Sequence, residues 1–245
     1  MSEFVYLILG CQSSGRRYAV FDLVKDLASE SDPITIHFSA SENKNEWQEK
    51  LAELEHLDVE TYSDEVASLD PQNINPQHTN LIVAPGLSNP VDQVEAFKDI
   101  VDQCPCELGR VITVAHCDQL SAHSQLLSWY DACIHFSDVC ILNRSAETTN
   151  QFVQDVIDRY KDKHFPVLFE IVFKKGIKNP GLVLEPQARR ISLFFEPDED
   201  AWLDDEDDDD WEGPQEDPYM VRIASGSREK WVPDIEAILK GNSIQ

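Results

Sequence analysis

The chain has 245 residues, 42% of them hydrophobic, and a formal charge of −26. That is apolar material for one large α/β domain or two small ones, while the acidity excludes a nucleic-acid backbone or an anionic membrane face as partner, since both need Lys and Arg to neutralise them. No apolar run nears the roughly 20 residues needed to cross a bilayer, and the run after Glu3 is too short for a secretory signal; the expected location is therefore cytoplasmic, with the six cysteines as reduced thiols.

Residues 4–9, FVYLIL, form a continuous apolar run, the pattern of a parallel strand buried on both faces. A glycine-containing loop follows, then a helical pattern to about residue 29 with Val20, Leu23, Val24 and Leu27 on one face. The spacing next predicts a strand at 34–38, a helix at 45–57, a short strand at 59–62 and a polar loop at 68–79. A buried-type strand at 81–84 ends in turn chemistry, Pro85-Gly86-Leu87-Ser88-Asn89-Pro90, and Pro90 suits the first turn of the helix that follows. Strands at 110–115, 139–142 and 167–172 alternate with helices at 121–136 and 148–161. Beyond Gly176 the pattern loosens: strand candidates at 191–195 and 219–224, and a short helix at 233–239. Alternation of this kind predicts an α/β fold with a mainly parallel, doubly wound sheet, whose ligands bind at the carboxyl ends of the strands.

The loop at such an end is Gly10-Cys11-Gln12-Ser13-Ser14-Gly15-Arg16-Arg17. Strand, two glycines five residues apart and helix is the layout of a phosphate-binding P-loop, G-x-x-x-x-G-K-[ST]. The spacing is kept, but Arg16 stands at the lysine and Arg17 at the hydroxyl residue. Gly10, Ser13, Ser14 and Gly15 can shape a cradle of N–H groups. Arg16 keeps a positive charge in a larger, planar form. Arg17 offers no lone pair to Mg²⁺.

Together with this loop, three further segments resemble the CobW-type P-loop GTPases (the CobW/HypB/UreG-like group), as a degenerate member. Residues 81–91, LIVAPGLSNPV, are similar to that family's I-E-T-T-G-L-A-D-P stretch. Residues 110–116, RVITVAH, are similar to V-x-T-V-V-D, and residues 137–144, SDVCILNR, to A-D-x-x-L-L-N-K. The resemblance covers roughly residues 3–170. It implies a P-loop NTPase-like domain over 1–195 and GTP or another nucleotide as ligand. The implied binding residues are Gly10, Gln12, Ser13, Ser14, Gly15, Arg16, Arg17, Asn143 and Arg144. The departures fall on the chemistry: the family's acids meet Val83 and His116, and the aspartate that reads guanine meets Ala146. Its C-x-C-C metal motif is missing, because residues 34–80 hold no cysteine. Mg²⁺ is therefore not expected, and no catalytic residue or metal ligand is assigned. A shift of two residues in this matching would bring a carboxylate, Asp118 or Glu147, back into place.

Cys104 and Cys106, with His116 and Cys117 nearby, carry soft ligands without a zinc spacing; a helix-ending turn with incidental thiols is the plainer reading. Residues 196–217 hold 14 of the 46 acidic residues and no basic one, an acidic low-complexity insertion expected to be disordered, with 218–245 returning as a strand and helix. It reads as a solvated segment, as a docking segment for a basic protein partner anchored by Trp202 and Trp211, or as a weak site for divalent cations. Basic pairs at Arg16-Arg17, Lys174-Lys175 and Arg189-Arg190 are internal counterparts, and an acidic segment folded over the glycine loop would mimic phosphate. Three functions follow: a pseudo-GTPase acting as a binding or regulatory module, an active metallochaperone-type GTPase with divergent motifs, or a scaffold using the acidic segment.

Overall fold

The computed structural model describes residues 4–196 and 216–240. Its centre is a seven-stranded sheet: β1 (Phe4–Leu9), β2 (Ile34–Ser39), β3 (Leu57–Tyr62), β4 (Thr79–Val83), β5 (Glu107–His116), β6 (Val139–Asn143) and β7 (Leu168–Ile171). The order is β3-β2-β4-β1-β5-β6-β7 and every pairing is parallel. Period-two alternation explains why the inner strands read as uninterrupted apolar runs. In β1, Val5, Leu7 and Leu9 point into one core, and Tyr6 and Ile8 into the other. The same split places Ile82 against Leu81 and Val83 in β4, and Cys140 and Leu142 against Val139 and Ile141 in β6.

The helices are α1 (Arg16–Val24), α2 (Glu46–Ala52), α3 (Pro90–Gln103), α4 (Cys117–Ala122), α5 (Leu126–His135), α6 (Asn150–Lys161), α7 (Pro180–Leu184) and α8 (Glu236–Lys240). Their starts follow capping chemistry. Asn45 accepts from the N–H groups of Trp47 and Gln48, Asn89 accepts from that of Val91 with Pro90 in the first turn, and Thr149 accepts from that of Phe152. Helix α3 turns Val91, Val94, Phe97 and Ile100 into the core. None of the helices among the described residues is long and apolar enough to cross a membrane.

Several predicted elements change. Helix α1 stops at Val24; residues 25–27 continue as a turn, and Ser29 and Asp32 then close a second turn by bonding to each other's backbone. The helix expected to 57 ends at Ala52; His56 takes a left-handed conformation (φ 59°) and feeds β3. The 121–136 helix is two helices, broken where His123 leaves helical dihedrals (φ −134°, ψ 80°). Residues 191–195 form no strand. Phe194 and Phe195 instead pack edge-on against each other, Phe136 and Phe97. The 219–224 stretch begins as a turn around Asp217, which accepts from the Tyr219 N–H, and keeps one bridge, Arg222 to Arg228. Tyr219, Met220 and Ile235 are buried in the larger core. Of the acidic run, 197–215 lie outside the described residues. Its two ends sit on the domain: Glu196 pairs with Arg190, and Asp217 with His135.

The fully buried Asp138, at the entry to β6, ties distant segments together. It accepts from Val111 N–H at 2.9 Å, Arg189 N–H at 2.6 Å, Arg190 N–H at 3.0 Å and the Arg190 guanidinium at 3.1 Å. Removing one partner of a buried pair leaves the other charge uncompensated. Asp138→Ala is therefore expected to cost about 3–5 kcal/mol, read as a lower urea midpoint in chemical denaturation.

Candidate functional site

The chain builds β2, β3 and β4 on one side of β1 and then crosses to β5 on the other. This reversal is the switch point at which doubly wound sheets bind ligands. The glycine loop emerges there. Its geometry needs its glycines: Gly15 has φ 89°, and a Cβ on it would lie 2.1 Å from Asn143 Nδ2. The contact has a purpose, since Asn143 Nδ2 donates to Ser14 O at 2.9 Å while its Oδ1 accepts from Arg144 N–H at 2.9 Å. Asn143 thus fixes the loop from the end of β6. On the other flank, Gln12 N–H donates to Gly86 O at 2.9 Å and the Cys11 N–H to the Tyr130 hydroxyl at 3.4 Å. The backbone N–H groups of Ser13, Gly15, Arg16 and Arg17 have no partner among the described hydrogen bonds. They stand at the start of a nine-residue helix, where unpaired amides and the helix dipole favour an anion.

Over the loop lies a cleft of about 730 Å³, within the range of small-molecule sites. Ser13, Gly15, Arg16, Arg17, Asn143 and Arg144 line it, so six of the nine residues expected at a nucleotide site converge. Gly10 and Ser14 shape the loop from beneath, and Gln12 bonds to the β4 loop instead. The structure adds residues that no motif marked: Tyr18 and Trp47, stacked edge-on at 4.8 Å, the exposed Phe173, and Lys174. The Lys174-Lys175 pair and the position of Phe173 just beyond a strand end were the available signals. The segment carrying them is anchored by Asp22 of α1, which accepts from Ile177 N–H. Arg16, Arg17, Arg144 and Lys174 face one carboxylate in the cleft lining, Glu147, itself bonded to Arg144 at 2.6 Å. The net local charge is positive in a chain of −26.

Neither loop arginine extends freely. Arg16 is buried; its guanidinium donates to Ala84 O and, at 2.5 Å, to Glu42 Oε1. Arg17 lies 3.3 Å from Glu42 Oε2 and 3.3 Å from Gln48 Oε1, with Phe38 beneath its guanidinium at 5.2 Å. Glu42 also accepts from Gly86 N–H at 2.7 Å. Burial alone would raise the Glu42 carboxyl, but Arg16, Gly86 N–H and Arg17 outweigh it and hold it below its ordinary value. Burial pulls the Arg17 guanidinium below the usual arginine range, against the opposing pull of Glu42. Glu42 was absent from the sequence-based site because its role depends on β2 lying beside β4 and β4 beside β1.

At the positions where the resembled family has acids, Val83 is buried in the smaller core, and His116 Nδ1 accepts from Gln119 N–H at 3.2 Å, capping α4. Burial, with Arg144 nearby, pushes the His116 imidazole down, so its neutral form is favoured. Ala146 lines the cleft and brings no hydrogen-bonding side chain; Glu147 beside it does. Asp118 lies outside the cleft lining. Cys104 ends α3, and Cys106, Cys117 and Cys11 are buried. Among the described residues no three His, Cys, Asp or Glu side chains are grouped to hold a metal ion.

No family model matches the chain, and no curated protein matches it in sequence. Solved structures do match in shape. The signal recognition particle receptor FtsY from Elizabethkingia anophelis superposes with a TM-score of 0.50 at 13% identity, covering 76% of this chain and 62% of its own. The Zn(II)-bound YjiA GTPase from E. coli gives 0.46 at 12% identity, over 77% and 67%. The hydrogenase maturation factor HypB from Archaeoglobus fulgidus gives 0.48 at 11%, over 69% and 80%. At such identities the likeness is one of fold alone: a parallel sheet with flanking helices.

The Glu42 knot sets an acid limit. A carboxyl depressed in the folded chain contributes stability that is complete above its unfolded value, here near 4.5, and is lost as pH falls through the folded value. Thermal unfolding from pH 7 to pH 3 is expected to show a steeper loss below pH 4.5 in the unaltered chain than in Glu42→Gln, which lacks the titrating group.

Proposed function

We propose that the chain binds a nucleoside phosphate in this cleft and does not hydrolyse it, serving as a binding or regulatory module built on a GTPase-type fold. The observation that carries this reading is the concentration of Arg16, Arg17, Arg144 and Lys174 around unpaired loop amides in an otherwise strongly acidic protein. Electropositive clefts with helix-terminal amides bind phosphates. Tyr18, Trp47 and Phe173 offer ring faces for a base at the same cleft.

The residues fit a phosphate and do not fit Mg²⁺. In a working site a Ser/Thr hydroxyl and a nearby acid hold the ion. Here Arg17 stands at the hydroxyl position, and both nearby carboxylates are engaged: Glu42 by two arginines and an amide, and Glu147, in the cleft lining, by Arg144. His116, at the end of β5, is held as a helix cap. The cleft therefore has means to bind and orient an anionic ligand, while among the described residues the carboxylates beside it, Glu42 and Glu147, are both tied to arginines and not set to activate water. Discrimination for guanine is also weak in this reading: the position that would accept two hydrogen bonds from the base is Ala146. A cytoplasmic setting belongs to the proposal, supported by six free thiols, as does a protein partner for the acidic run at 196–217.

Titration of the protein with GTP, GDP, ATP and ADP, with and without Mg²⁺, is expected to give saturable binding that is insensitive to Mg²⁺, little preference between guanine and adenine, and no phosphate release. Arg144→Ala with Lys174→Ala should weaken binding about tenfold or more, as loss of charge-assisted contacts to phosphate does. Mg²⁺-dependent phosphate release would overturn the non-hydrolysing reading; absence of any binding would overturn the ligand.

A further inference from the structure

We propose that Glu42 is a built-in surrogate for a phosphate group: its carboxylate fills an anion seat formed by Arg16, Arg17 and the Gly86 N–H, so the cleft accepts ligands with a short phosphate chain and disfavours triphosphates. The specificity half of this proposal rests on the reading that the cleft binds a nucleoside phosphate; the seat itself does not.

The seat has the composition of a phosphate site. Two guanidinium groups and one backbone amide converge on a single carboxylate, at 2.5, 3.3 and 2.7 Å. Its walls are fixed. Gly86 presses so closely on the glycine loop that a Cβ there would lie 2.4 Å from Gln12 N and 2.5 Å from the Arg16 guanidinium. Ala84 O holds that guanidinium from the strand side. Arg17 keeps one buried guanidinium nitrogen without a partner, a donor that a carboxylate with two oxygens leaves over and a tetrahedral anion with a third oxygen would take up.

Position gives the seat its consequence for specificity. Arg16 and Arg17 belong both to the lining of the cleft and to the Glu42 contacts, while Glu42 itself does not line the cleft. A ligand bound over the loop amides extends its phosphate chain toward the two arginines and then meets a negative charge already in place. Each added phosphate brings further charge against Glu42, whose withdrawal would leave the buried Arg16 and the half-buried Arg17 without their carboxylate. The repulsive element works as negative selection does elsewhere, rejecting the longer chain instead of strengthening the shorter. The side chain comes from the loop after β2, so the acidic run at 196–217 is not needed to supply a phosphate mimic.

The full-length protein and its Glu42→Ala and Glu42→Gln variants test this, with Asp138→Ala as a control that loses a buried carboxylate elsewhere. Thermal unfolding is followed with and without inorganic phosphate, and with pyrophosphate. Both Glu42 variants are expected to melt lower than the unaltered chain, and phosphate should return most of the loss in Glu42→Ala while barely shifting the unaltered chain or the control. In nucleotide titrations the triphosphate-to-diphosphate affinity ratio should rise about tenfold or more in Glu42→Gln, because a repulsive charge is removed from the longer ligand alone. If phosphate stabilises Glu42→Ala no more than the control, Glu42 is an ordinary ion-pair partner and the seat is refuted. If nucleotides bind but the ratio is unchanged, the specificity role falls while the proposed function stands. If no nucleotide binds any version, the proposed function falls, and phosphate rescue still decides the seat.

Discussion

Everything in the molecule is arranged by the need of a fully desolvated parallel strand to have apolar cover on both faces. β1 lies in the middle of seven strands, between β4 and β5, with side chains entering two separate cores. Parallel strands require crossover helices, and crossovers put every carboxyl-end loop on the same edge of the sheet. The loops after β1, β2, β4, β5, β6 and β7 are therefore brought together whatever they carry. Core packing thus creates the cleft first, and the loop residues decide its chemistry afterwards.

That separation leaves residues at the strand ends free to serve the scaffold. Val83 serves the core, His116 caps a helix, and Asn143 holds the glycine loop in shape. Each has a structural duty independent of any ligand. The arginine pair is likewise stabilised from within. A buried and a half-buried cation side by side at the end of a sheet would be costly if left alone, and Glu42 with the Ala84 carbonyl supplies the compensation. Two adjacent arginines at the start of α1 are tolerable in this fold because the β2 loop delivers a carboxylate to the same point.

Local sequence was informative wherever the physics is local. The apolar run of β1, the glycine spacing and Pro90 in the first turn of α3 each declare themselves within a few residues, and the structure has them where they were expected. Asn143 was marked only through the resemblance, as a binding residue; the structure gives it a brace on the glycine loop. Glu42 was not, for its partners lie 26 and 44 positions away and meet it only once three strands are in order. The aromatic run at 191–195 misled for a related reason. Its residues have high strand propensity, but they are fixed by rings of α3 and the α5–β6 turn instead of a sheet neighbour. The break at His123 had no Gly or Pro to announce it.

The cationic cleft inside an acidic protein has a kinetic consequence. Seen from afar, an anionic ligand meets a molecule with a large negative net charge and is repelled; close to the glycine loop it meets Arg17, Arg144 and Lys174. The distance at which one view gives way to the other is the screening length, about 8 Å at physiological ionic strength. Salt then acts in opposite senses on the two regimes, muting the far-field repulsion before it weakens the contacts within the cleft. For the anionic ligand proposed above, the expected salt dependence of capture is the reverse of that of proteins that steer anions through a positive surface: the cleft would collect it most readily where the rest of the surface is electrically hidden.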